Sequence, residues 1–278
     1  MNTGRIARRA TLAVALSLFA GTVFAQAQPA ANQEFQPEVG QAGKDVVWVP
    51  TAQALVDRML DMAKLTPKDI HYDLGSGDGR TVITAAKRGA TAFGVEYNPD
   101  MVELSRRNAV KEGVTGKATF IHGDIFETDF SKATVITLFL LPELNVKLRP
   151  KILAMKPGTR VASNSFTMGD WKSDESQVAQ GDCTSYCTAY LWIVPANVDG
   201  IWKSGKEEIK FAQEFQMVHG SVGQGGKLAP ILKGRLRGDA INFTAGDARY
   251  TGKVSGNSIE GTVTAGGKTA PWTATRIK

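Results

Sequence analysis

The sequence has 278 residues, 42% of them hydrophobic and 22% charged, which is enough apolar material for one large packed core or two modest ones. That balance excludes a disordered tail, a collagen-like fibre and a heptad rod, and two cysteines exclude a disulfide-built scaffold. The net charge of +6 includes Arg5, Arg8 and Arg9 of the first 25 residues; the rest carries +3 without a basic block, so charge gives no support for a nucleic-acid partner.

Residues 1–25 have the build of an export signal. Three arginines precede a short apolar stretch, Thr11-Leu-Ala-Val-Ala-Leu-Ser-Leu-Phe-Ala20, and Val23-Phe24-Ala25 supplies small residues for cleavage. About ten apolar residues are too few for a stable membrane anchor. The expectation is cleavage near Ala25 and release, most simply to a bacterial periplasm. Residues 26–44, rich in Gln, Ala, Pro and Gly at the start, read as a flexible lead-in.

From there to 197 the chain alternates helix and strand signals. A helix over 51–65 is followed by a strand over 69–74, a glycine loop, and a helix over 80–88. A strand over 91–96 leads to Pro99, which opens a helix ending near 111. Further strands are predicted over 117–122, 133–140, 159–165 and 189–194, with a helix over 142–155. This alternation predicts an α/β domain with a parallel sheet covered on both faces by helices. Cys183 and Cys187, four apart, read equally as a small looped disulfide or as two unrelated thiols.

The texture changes over 198–278. Fourteen of the 29 glycines fall in the last 79 residues, and the helical period gives way to short alternating stretches at 209–217, 228–236, 240–244, 249–254, 258–264 and 271–277. These predict a small antiparallel β-meander, either a sandwich or a partial barrel.

The most informative segment is Asp73-Leu-Gly-Ser-Gly-Asp-Gly79, between the first strand of the α/β domain and its helix. Glycines let the backbone turn sharply and approach a ligand, and the following helix start offers unpaired N–H groups. The third glycine falls one position earlier than in the Gly-x-Gly-x-x-Gly fingerprint, which counts against a nicotinamide dinucleotide. Three acids sit at successive strand ends: Asp73, Glu96 and Asp124. A carboxylate in the second place can accept both ribose hydroxyls, and one in the third can face an adenine amino group.

This order of Asp-x-Gly-x-Gly-x-Gly, strand-end Glu and strand-end Asp resembles the class I methyltransferases that use S-adenosylmethionine. The resemblance runs from about Trp48 to Val194. Val49-Pro-Thr51, Gly94-Val-Glu96, Gly123-Asp124, Leu140-Leu-Pro-Glu-Leu-Asn145 and Met168-Gly-Asp-Trp171 are similar to a branch that includes protein-lysine methyltransferases. The resemblance implies a Rossmann-like sheet, S-adenosylmethionine as cofactor and a methyl acceptor that includes protein lysine among its candidates. It implies that Asp73, Gly75, Ser76 and Gly77 hold the methionine part, that Glu96 binds the ribose with Tyr97 against the adenine, and that Asp124 and Ile125 fix the adenine edge.

On the acceptor side the candidates are Pro142, Glu143 and Asn145, although Pro and Glu at 142–143 serve equally as an ordinary helix start. The Asn-Pro-Pro-Tyr signature of many amide and adenine methyltransferases is absent. His71, His122 and His219 are scattered, and His71 and His122 fall inside strands, where a structural role is the simpler expectation. No metal site, serine-hydrolase elbow or phosphate loop is predicted. An exported binding or sensor module that keeps a nucleoside pocket without turnover stays open as the alternative reading.

Overall fold

The computed structural model describes residues 1–2 and 34–278. The chain divides into two units, Met1–Glu34 and Phe35–Lys278, and among the described residues every helix and strand lies in the second. All but the first two residues of the expected export signal lie outside the described residues.

A seven-stranded sheet has the order β3-β2-β1-β4-β5-β7-β6. Its members are β1 (Ile70–Leu74), β2 (Thr91–Glu96), β3 (Ala118–His122), β4 (Val135–Leu138), β5 (Arg160–Asn164), β6 (Glu175–Val178) and β7 (Thr188–Ile193). The first five are parallel. β7 pairs antiparallel with β5, and β6 with β7, so the expected parallel sheet is extended at one edge by two antiparallel strands. β6 has no counterpart among the predicted strands because its exposed polar residues offer no apolar alternation.

Strand alternation sets the two faces. Val135, Ala189, Leu191 and Ile193 pack against α1 (Gln53–Met62), whose Leu55 and Met59 are buried. Ile136, Leu138 and Trp192 point the other way, toward Leu148 and Ile152 of α4 (Pro142–Leu153). α2 (Arg80–Lys87) and α3 (Pro99–Lys111) share a core with α1 through Val56, Leu60, Val82 and Val102. Helices therefore flank both faces, as the sequence predicts.

The last strands, β8 (Gly200–Ser204), β9 (Glu207–Glu214), β10 (Met217–Gln224), β11 (Lys227–Arg237), β12 (Ala240–Ala245), β13 (Ala248–Ser255), β14 (Ser258–Ala265) and β15 (Lys268–Arg276), form a closed antiparallel barrel. The expected sandwich or partial barrel is corrected to full closure, made by β15 pairing with β8 at Arg276↔Trp202. Closure removes the exposed edges that an open meander would leave. Rings of Trp202, Phe211, Phe243, Tyr250 and Trp272 fill the interior. The stretch predicted at 209–217 is divided by a two-residue turn at Phe215 and Gln216.

That turn joins the two halves. Phe215 holds a left-handed backbone, φ +51°, where the other six barrel hairpins place glycine. Its ring stacks on Trp171 at 5.9 Å, and the Arg149 guanidinium lies 5.1 Å from its centre. Packing in the α/β core thus offsets a backbone cost of about 1–2 kcal/mol. Beside it, buried Asp174 accepts hydrogen bonds from the Ile193 N–H at 2.8 Å and from Arg235 of the barrel at 2.7 Å. Asp174→Ala is expected to cost about 1–3 kcal/mol in urea unfolding, the range for charged hydrogen bonds. An unchanged midpoint would mean that the barrel is docked by the aromatic contacts alone.

Candidate active site

Residues at the carboxyl ends of β1, β2 and β4 open onto one cavity of about 390 Å³. This is where ligands settle in open α/β sheets, and the size is within the range of roughly 300–1,000 Å³ for small-molecule pockets. The glycine loop after β1 turns back over β2: the N–H groups of Gly75 and Ser76 donate to the Val95 carbonyl at 2.9 and 3.0 Å. That fold brings the Gly77 N–H to Glu96, whose carboxylate accepts it at 3.0 Å and accepts the Asn98 N–H at 2.9 Å. Two backbone donors therefore fix the Glu96 carboxylate at the cavity wall.

Asp73 is 6% exposed and accepts a 2.6 Å hydrogen bond from the Thr137 hydroxyl. Burial pushes its carboxyl up to about 7; the Thr137 hydroxyl opposes this, while the negative charges of Asp78 and Glu96 add to it. Thr137 in turn lies 2.8 Å from His71 Nε2, and burial drives His71 down to about 3. A neutral His71 with its proton on Nε2 can donate to Thr137 while Thr137 donates to Asp73. His71 is thus a buried support for the acid rather than a group in the cavity.

Asp124 accepts the Phe126 N–H at 2.8 Å and is ion-paired with Lys44, which holds its carboxyl below the usual range. Lys44 comes from an unexpected place. Residues 40–48 form a small hairpin, closed by Gly40 N–H to the Trp48 carbonyl at 2.8 Å and Trp48 N–H to the Gln41 carbonyl at 2.9 Å. It lines the cavity from Gln41 to Thr51 and sets the Lys44 ammonium 4.9 Å from the Tyr97 ring. The flexible lead-in predicted through residue 44 is therefore corrected from residue 40 onward. Backbone pairing and contacts with distant residues order it, and neither leaves an apolar period in the sequence.

The structure brings Asp73, Gly75, Ser76, Gly77, Glu96, Tyr97, Asp124 and Ile125 around this one cavity. Pro142, Glu143 and Asn145 are not among its lining residues. Pro142 and Glu143 open α4, and Asn145 is fully buried, with its amide donating to the carbonyls of Phe166 at 3.4 Å and Thr167 at 3.2 Å. The cavity wall on that side is made instead by Phe139, Leu140, Leu141 and Leu144 with Phe166 and Tyr186. Phe139 and Leu140 fall within a predicted strand, which hides them: β4 ends at Leu138 and the next residues turn into the cavity.

The cavity suits an adenosyl cofactor on its own terms. A Cβ at Gly77 would stand 2.7 Å from Trp48 Nε1, so only glycine leaves the cradle open. Ser76 Oγ is buried without a partner. The acids offer acceptors for an ammonium group, ribose hydroxyls and an adenine amino group.

Comparison with known proteins agrees. Residues 73–175 match the ANTKMT methyltransferase domain, a match that ends before the barrel. A protein-lysine N-methyltransferase of Saccharolobus islandicus is 44% identical over 153 residues, covering 54% of this chain and 94% of that protein. The adenine nucleotide translocase lysine N-methyltransferase of Mus musculus is 31% identical over 129 residues, covering 46% of this chain and 56% of that protein. This chain thus spans little more than half the length of the mouse relative. The crystal structure of an RNA methyltransferase from Salinibacter ruber with S-adenosyl-L-homocysteine has 45% identity and a TM-score of 0.50, covering 54% of this chain and 96% of that one.

The protein is a class I S-adenosylmethionine-dependent methyltransferase, with S-adenosylmethionine as its cofactor. Within that class it belongs to the family of the Saccharolobus islandicus protein-lysine N-methyltransferase.

Proposed function

We propose that the chain methylates the ε-amino group of lysine in a protein acceptor. The observation that carries this is the likeness to the protein-lysine N-methyltransferase of Saccharolobus islandicus, 44% identical and covered over 94% of its length. The mouse relative, also named for a lysine acceptor, supports the same reading. The cavity lining holds five acids, Asp45, Asp73, Asp78, Glu96 and Asp124, against two cations, Lys44 and Arg80. Both cations are ion-paired, Lys44 with Asp124 and Arg80 with Asp78. Asp73, Glu96 and Asp124 serve the cofactor in this reading, so their charge fits its cationic amino group and is neutral as to the acceptor.

In this reading Asp73, Gly75, Ser76 and Gly77 hold the methionine part of the cofactor, Glu96 the ribose, and Tyr97, Asp124 and Ile125 the adenine. S-adenosylmethionine, when bound, supplies a methyl group on a sulfonium. The chain contributes position: the apolar wall of Leu138, Leu140 and Leu144 excludes water and holds the acceptor in line. Desolvation there also disfavours the charged form of the incoming amine, which must lose its proton to act as nucleophile.

The test is transfer of labelled methyl from S-adenosylmethionine to a bacterial extract, followed by acid hydrolysis of the protein fraction. Label is expected in Nε-methyllysine, and its absence from the Asp73→Asn reaction would tie it to this site. Label found in RNA and not in protein would replace the lysine reading with an RNA one.

Export is the second part of the proposal. Its support is the signal-like segment at 1–25 and a Cys183–Cys187 disulfide, a bond that persists in oxidising compartments. A fusion of residues 1–30 to alkaline phosphatase is expected to be active in bacterial cells; an inactive fusion would place the enzyme in the cytoplasm, where the cofactor is made.

A further inference from the structure

Three aromatic side chains from three separate loops meet on one wall of the cavity. Phe139 follows β4, Phe166 follows β5, and Tyr186 lies in the loop between β6 and β7. Ring centres are 6.1 Å apart for Phe139 and Phe166, 5.5 Å for Phe139 and Tyr186, and 5.9 Å for Phe166 and Tyr186. The planes meet at 20°, 60° and 47°, so Phe139 and Phe166 lie close to parallel and Tyr186 is tilted against both. Tyr186 is 48% exposed.

The placement of Tyr186 is over-determined. Its backbone has φ +54°, a conformation that costs a non-glycine residue about 1–2 kcal/mol. The disulfide between Cys183 and Cys187 closes the chain around it, and the Ala179 N–H donates to the Cys187 carbonyl at 2.8 Å. Asp182, just before the bridge, accepts the N–H groups of Gln53 and Ala54 at 3.1 Å each and so ties the loop to the start of α1. Phe166 is held as firmly, its carbonyl accepting from the Ser163 hydroxyl at 2.8 Å and from buried Asn145. A strained, exposed aromatic residue kept in place by a covalent bridge and a helix start is out of proportion to what packing alone needs.

Aromatic faces carry partial negative charge and attract alkylammonium groups, most strongly where water is excluded. A nucleobase can also stack on one aromatic face, so uridine monophosphate is the competing probe in the test below. We propose that Phe139, Phe166 and Tyr186 form a receptor for the alkylammonium end of the acceptor, held in shape by the Cys183–Cys187 bridge. This rests on the lysine reading above and sharpens it. The rings receive the side chain as a cation before it loses its proton at the leucine wall, and they favour a methylated lysine over an unmodified one, because each methyl group weakens hydration of the cation.

The probes are Nα-acetyl-Nε-trimethyllysine amide and its neutral isostere, with carbon in place of the ammonium nitrogen. Each is titrated into the full chain saturated with S-adenosylhomocysteine. The cation is expected to bind about fivefold more tightly than the isostere, in line with a cation–π contact at partly exposed rings. Tyr186→Ala should abolish that preference and Tyr186→Phe should keep it. The Cys183→Ser/Cys187→Ser double variant should weaken the cation several-fold more than it weakens S-adenosylhomocysteine. Equal affinity of the two probes for the parent chain overturns the proposal, as does full discrimination by Tyr186→Ala or tighter binding of uridine monophosphate than of the cation. These results are separable from the lysine reading itself, which stands or falls on where the methyl label is recovered.

Discussion

At pH 8 the Asp73→Asn variant is expected to bind S-adenosylmethionine about tenfold to a hundredfold more weakly than the parent, and at pH 6 the two are expected to converge. The cofactor carries a cationic amino group, and a hydrogen bond between charged partners contributes about 1.5–3 kcal/mol. Burial has moved the Asp73 carboxyl to about 7, so in the free chain the acid is protonated below that value and must lose its proton to meet the cation. Parent affinity should therefore fall as pH drops through 7, approaching tenfold per unit, while Asn, shaped like the protonated acid, gives a flat profile. Stability of the free chain runs the opposite way. An acid whose folded value is raised contributes stability below its ordinary value of about 3.8, and that contribution is lost as pH rises through about 7. Asp73→Asn without cofactor should then melt above the parent at pH 8. Thr137→Val removes the hydroxyl that stabilises the charged form, which should shift the affinity midpoint upward. Calorimetric titration from pH 6 to 8 checks both; a parent affinity independent of pH would mean that Asp73 does not face the cofactor's charge.

The acids of this site were legible because each is set by a local rule. A strand end, a glycine turn and a helix start follow one another in sequence, so Asp73, Glu96 and Asp124 could be placed at adjacent strand ends without knowing the sheet order. The proposed acceptor side obeys no such rule. Phe139, Phe166 and Tyr186 converge from three loops through the β5–β7 and β6–β7 pairings, which are antiparallel and which no local signal announces. Pro142 and Glu143 carried the stronger local signal, yet their signal was that of a helix start, and Asn145 serves the loop beneath. In the barrel, the glycine turns announced hairpins one by one. Closure depends on β8 meeting β15 across more than sixty residues, and nothing local encodes it. The hairpin over 40–48 escaped for a related reason: it packs on distant residues, and Val46, Val47 and Trp48 stand together at one end of it without a strand or helix period.

That hairpin underlies the second large effect. Gly77→Ala is expected to destabilise the chain by about 2–4 kcal/mol and to weaken S-adenosylmethionine binding more than tenfold. Gly77 has φ +54°, which alone costs an alanine about 1–2 kcal/mol. The added Cβ would also stand 2.7 Å from Nε1 and 3.1 Å from Cδ1 of Trp48, too close for either to stay in place. The loop has little room to retreat, because the Ser105 hydroxyl of α3 donates to the Gly77 carbonyl at 2.8 Å and the Gly77 N–H is committed to Glu96. The hairpin must therefore lift, taking Lys44 away from Asp124 and opening the cavity at that end. In a Trp48→Ala background the steric part disappears, and Gly77→Ala should cost only its backbone strain. A double-mutant cycle read by urea unfolding then gives a coupling of about 1–2 kcal/mol between positions 29 residues apart in sequence. Simple additivity would show that Trp48 does not rest on the glycine loop, and that the hairpin does not cover the cofactor site.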